Sequence, residues 1–104
     1  MSSAVAFSDV ARTFQSLAEQ WDAETAYLSS VHEIVLNPAY QRIIGLGPQV
    51  LPLLLHDLMH TERFWFWALT SITGENPVPD DELGNVPQMT ERWVHWGRER
   101  GILA

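Results

Sequence analysis

The sequence predicts an all-α protein, a compact bundle of five or six helices. Three observations carry this prediction. Apolar residues recur at helical spacing in several separate stretches, Gly and Pro fall where those stretches stop and start, and no run shows the period-two alternation of a strand.

Residues 1–6 are expected to be a frayed end. Ser8 is a predicted N-cap for a long helix on which Val10, Phe14, Leu17, Trp21 and Leu28 share one stripe. Glu24 falls on that stripe and is the candidate buried polar group. A carboxylate on an apolar face must be paired or hydrogen-bonded. Its expected partners are Arg42, Arg63 or an indole N–H; the sharper alternative is a catalytic or metal-binding carboxylate. Ser30 and Glu33 form a capping box for a short helix reaching Leu36, so that residues 8–36 make up the N-terminal helices. Asn37-Pro38 caps and restarts the chain, with Pro38 in the first helical turn.

The centre is the segment 38–74. Gly45 and Gly47 are expected to close the preceding helix and Pro48 to open the next. Leu51, Leu54, Leu55 and Leu58 then share one arc, with Gln49, Leu53, His56 and His60 opposite. Thr61 is a predicted cap for a second helix, with Glu62 in its first turn and Gly74 at its end. Phe64, Trp65, Ala68, Leu69 and Ile72 form its inner face, which leaves Phe66 and Trp67 at the edges. Phe66, Trp67 and Leu53 are therefore the candidate partner-binding residues. Residues 75–85 read as an acidic loop without regular structure, mobile or used in recognition. Asn85 caps the last helix, 86–101, where Val86, Met89, Trp93 and Trp96 form a stripe, Gly97 permits close approach and Gly101 ends the run.

The run GLGPQVLPLLLHDL followed by FWFWALTSITG resembles one HEAT-like repeat, and Trp93-Val94-His95-Trp96 is similar to the W-x-x-W helix that follows such segments. The resemblance implies an antiparallel helix hairpin at the centre of the bundle and a binding scaffold in place of an active site. Solenoids of this kind stack about three or more repeats. A lone hairpin would therefore take its neighbouring layer from a partner or from a second copy of the chain.

Length and composition narrow the function. A chain of 104 residues is expected to form one domain. It has no cysteine, which excludes disulfides and thiolate metal sites. It also has no apolar run long enough for a membrane span. The first residues, MSSAVAFSDVARTF, lack the charged and apolar regions of a leader, and the expected location is cytoplasmic. Thirteen carboxylates face six arginines and no lysine, for a net charge of −7. That balance disfavours direct nucleic-acid binding and suits a basic partner.

The sharpest chemical motif is His56-Asp57-Leu58-Met59-His60. Its i, i+4 histidines could share one metal ion, and it is similar to H-E-x-x-H with aspartate in the base position. No third ligand is evident in sequence, although His32, Glu33, Glu62 and His95 are candidates. No G-x-S-x-G elbow occurs, and Gly45-Leu46-Gly47 is a helix terminator, not a dinucleotide loop. The expected function is a non-enzymatic protein-protein interaction module without cofactor, either homo-oligomeric or bound to a protein partner, of the antitoxin or immunity-inhibitor type. The alternative is a metal-binding protein or metal-dependent hydrolase built on His56 and His60.

Overall fold

A computed structural model describes residues 3–61 and 63–104, with side chains at the N-terminus from Asp9 onward. Among the described residues there are six α-helices, two 3-10 turns and no strand. The helices are α1 (Ser3–Thr25), α2 (Val31–Val35), α3 (Pro38–Gly45), α4 (Leu51–His60), α5 (Phe66–Thr73) and α6 (Val86–Glu99); the 3-10 turns are Gly47–Val50 and Asp80–Glu82. None of the described helices is long and apolar enough to cross a membrane. The chain divides into two compact units, Met1–Val50 and Leu51–Ala104.

In the first unit α1 packs against α3. Its buried positions are Phe14, Leu17, Ala18, Trp21 and Thr25, a 3.6-residue drift in which Thr25 takes the place expected for Glu24. Glu24 is exposed and accepts from Asn37 Nδ2 at 3.0 Å and Gln20 Nε2 at 3.3 Å, so neither an arginine nor an indole serves it. The buried Thr25 hydroxyl is satisfied locally by donating to the Trp21 carbonyl at 2.7 Å. The helix starts at Ser3, five residues before the expected cap at Ser8, because Ala4 and Ala6 are strong helix formers. Met1 and Ser2 lie outside the described residues.

The elbow between α2 and α3 is held by side chains. Trp21 Nε1 donates to the Ile34 carbonyl at 2.9 Å and Gln41 Nε2 to the Val35 carbonyl at 2.8 Å. Asn37 caps α3 by accepting from the Ala39 N–H at 2.9 Å, with Pro38 in the first turn. Trp21 meets Tyr40 with ring centres 5.1 Å apart. The Ser30–Glu33 capping box is not made: Ser30 sits at the N-cap with an extended backbone, but its hydroxyl bonds nothing in the helix. Only Gly47 of the Gly45/Gly47 pair is left-handed, at φ +77°; Gly45 is the last residue of α3, and the α4 start falls at Leu51 after a 3-10 turn containing Pro48.

In the second unit α4 packs against α6. Leu51, Leu54, Leu55 and Leu58 are buried, as their common arc predicts, together with Trp93, Val94, Trp96 and Gly97 of α6. A Cβ on Gly97 would lie 2.7 Å from Leu55 Cδ1 and 3.3 Å from Leu103 Cδ1, so the glycine sets how closely these elements approach. At the end of α6 the Ile102 N–H bonds the Gly97 carbonyl at 2.9 Å and the Gly101 N–H bonds the Arg98 carbonyl at 3.1 Å. With Gly101 at φ +70°, this is a Schellman stop that turns Leu103 back over Gly97.

The acidic loop carries more structure than its composition predicts. Arg92 grips Glu82 with both ends of its guanidinium, at 3.0 and 2.6 Å, and Arg100 reaches Glu75 at 2.7 Å while stacking 4.6 Å above the Trp96 ring. The Arg92 hydrogen bonds hold the Glu82 carboxyl below its ordinary pKa, an effect reinforced by the arginine's charge. Val78 is buried between these ties. The loop is thus fastened to α6 at both ends, and Asn85 caps that helix by accepting from the Gln88 N–H at 3.2 Å.

Candidate functional site

The segment joining α4 to α5 sets the geometry of the second unit's surface. Asp57, in the last turn of α4, accepts from Trp65 Nε1 at 2.7 Å and from Arg63 Nη1 at 3.2 Å. The Thr61 hydroxyl lies 3.1 Å from the same carboxylate and 3.0 Å from the Asp57 carbonyl, and it accepts from the Arg63 N–H. Thr61 therefore closes α4 and does not cap α5, which begins five residues later at Phe66; Glu62 lies outside the described residues. A carboxylate at a helix C-terminus opposes the helix dipole, and here several donors offset that cost.

The buried face of α5 holds Ala68 and Leu69 as expected, beside the buried Trp65, and is wider than expected by Phe66. Phe66 lies three residues before Leu69 and is buried at 5% exposure, so the surface it offers is as part of the wall of the cleft beside Trp67. Trp67 lies on the other side with Thr70 and Ser71 and is 51% exposed. Leu53 is half-buried. Beside Trp67 opens an apolar cleft of about 220 Å³, lined by Phe64, Phe66, Leu83, Met89 and Trp93 among others. Leu83 is itself 54% exposed and stands directly after the Asp80–Glu82 turn, where Asp80 and Asp81 are exposed. The sequence places Met89 on the apolar stripe of α6 and does not single out Leu83, and neither is among the expected partner-binding residues. The signal is a leucine directly after three carboxylates in an acidic, proline-containing loop, which has no local reason to be apolar.

A larger groove of about 730 Å³ runs along α6 past Met59, Arg92, His95 and Arg98. Its basic side chains are each tied to a neighbour. Arg92 is held by Glu82, His95 Nε2 is 3.2 Å from Glu99, and Arg98 donates to the Ala104 carbonyl. The smaller cleft combines aromatic surface with the adjoining exposed carboxylates of Asp80 and Asp81.

His56 and His60 are both exposed at the end of α4, with ring centres 4.4 Å apart. Asp57 between them is 17% exposed and turned to Trp65 and Arg63, which does not leave it as a base for a water on the histidines. Glu24 serves Asn37 within the first unit. Among the described residues no group of three or more His, Asp or Glu side chains converges as a metal site. The chain matches no protein-family model, no curated protein and no solved structure with which it was compared.

Proposed function

We propose that this protein is a non-enzymatic interaction module that docks a basic protein through the Trp67 cleft, as an antitoxin or immunity-type inhibitor of that partner. The observation that carries the reading is a half-exposed tryptophan at the mouth of an apolar cleft, with Asp80 and Asp81 on the adjoining turn. Exposed aromatics of this size are enriched where partners bind, and an aromatic in a cleft is the usual anchor. A net charge of −7 adds attraction for a cationic partner and speeds its encounter. The HEAT-like resemblance of residues 43–77 supports the same reading, since scaffolds of that kind act by binding.

The test is purification of the native complex by the wild-type chain and by Trp67→Ala, with native mass spectrometry to identify and weigh what is held. The expected result is a basic protein bound by the wild type and about 30-fold more weakly by Trp67→Ala, the loss of one aromatic anchor worth about 2 kcal/mol. Its association rate should fall as salt is raised, and co-expression should relieve the partner's toxicity. A partner retained equally by Trp67→Ala, an acidic partner, or a salt-insensitive homodimer would each overturn the reading.

A further inference from the structure

We propose that His56 and His60 form a two-histidine chelate for a divalent transition metal, binding copper(II) most tightly. The site is separate from the Trp67 cleft and does not depend on the function proposed above.

Position i, i+4 on α4 puts both rings on one face of the helix, and both are exposed. Imidazole nitrogens bind such metals at about 2.0–2.1 Å, which places each ring centre roughly 3.2 Å from the ion. Two such rings at a right angle about the metal have centres about 4.5 Å apart. The observed separation is 4.4 Å, with ring planes 30° apart. The helix thus already holds the rings at the spacing of adjacent ligands.

Local bonding also selects the nitrogen. His60 Nδ1 lies 2.8 Å from the His56 carbonyl, which can only accept. Nδ1 must therefore carry the proton, leaving the lone pair on Nε2. A histidine ligand whose second nitrogen donates to a carbonyl is the usual arrangement at metal sites, because it fixes both tautomer and ring orientation.

The surroundings favour a cation and exclude the harder ones. His60 is the last residue of α4, where unsatisfied carbonyls give the helix end a partial negative charge. The chain's net charge of −7 adds to that attraction. The nearest carboxylate in sequence, Asp57, is committed to Trp65 and Arg63, so among the described residues the donors are imidazoles alone. Imidazole suits copper, nickel and zinc, whereas magnesium and calcium need oxygen donors, and at nitrogen sites copper(II) binds most tightly of the first-row series. With two protein ligands the remaining positions go to water, which makes the site exchangeable.

The experiment is isothermal titration of tag-free, chelator-treated full chain with copper(II) and zinc(II), alongside electron paramagnetic resonance of the copper-loaded protein. The expected result is one copper per chain with two coupled imidazole nitrogens, and weaker zinc binding at the same stoichiometry. His56→Gln and His60→Gln should each weaken copper about 10²-fold, the loss of an intramolecular second ligand, and leave one coupled nitrogen. Both residues are exposed, and far-UV circular dichroism verifies that the variants fold. His32→Gln and His95→Gln should bind as the wild type does. Binding unchanged in both His56→Gln and His60→Gln, or lost equally in His95→Gln, would overturn the proposal.

Discussion

Asp57→Ala should lose about 3 kcal/mol of stability, whereas Asp57→Asn should lose roughly 1 kcal/mol. Trp65 is 0% exposed, and its indole N–H donates to the Asp57 carboxylate at 2.7 Å. Alanine removes that acceptor. A buried donor deprived of an acceptor costs about 1–3 kcal/mol, and the part-exposed ion pair with Arg63 adds no more than about 1 kcal/mol. Asparagine keeps a carbonyl oxygen in reach of the indole and forfeits only the charge. A domain of this size has about 5–15 kcal/mol in total, so the alanine variant is close to the margin. Urea unfolding of both variants separates the contributions. Equal midpoints would show that the indole bond contributes little and that Arg63 alone gives Asp57 its importance.

Gly97→Val should cost about 3 kcal/mol, a loss of roughly 15 °C in melting temperature. The β-carbon alone would stand 2.7 Å from Leu55 Cδ1, so the fully buried Leu55 side chain must repack to admit it. Gly97→Ala sets about 1 kcal/mol of gained helix propensity against that clash and should end about 1 kcal/mol less stable. Valine adds two methyl groups in the same space with little further propensity gain. If the Leu55 contact is the cause, Leu55→Ala should be far less damaging in the Gly97→Val background than in the wild type. Strictly additive losses would locate the strain elsewhere.

These two residues mark what was and was not legible in the sequence. The all-α class, the leucine arc of α4, the Asn37 and Asn85 caps, the Gly74 and Gly101 stops and the close approach at Gly97 follow from periodicity and from Gly, Pro and Asn chemistry. What failed were choices between equivalent local signals. Thr61 resembles an N-cap because it precedes an acidic residue, yet its hydroxyl turns back to Asp57; only the tertiary set of Arg63 and Trp65 decides that. With the start of α5 moved to Phe66, Phe64 and Trp65 precede the helix, and the buried face of Trp65, Ala68 and Leu69 widens to include Phe66. Glu24 was misplaced for a similar reason. A stripe that includes Leu28 takes in Glu24, but α1 ends at Thr25 and Leu28 lies outside the helix.

The cleft was half visible. Trp67 stood out by its position on the wheel, but Leu83 joins it only because the Glu82–Arg92 and Glu75–Arg100 ties fold the acidic loop against α6. Ion pairs across ten and twenty-five residues leave no periodic trace. The 4.4 Å spacing of His56 and His60, by contrast, was implicit in i, i+4 geometry from the outset.

The uneven burial of the tryptophans has an optical consequence. Trp21, Trp65, Trp93 and Trp96 are all buried, and Trp67 alone among the five is exposed. The emission of the folded chain is thus divided between a shielded population and a single wetted indole. A collisional quencher such as acrylamide reaches the latter first. Since that indole stands at the mouth of the cleft, the protein carries its own fluorophore for occupancy, readable at low concentration without a label.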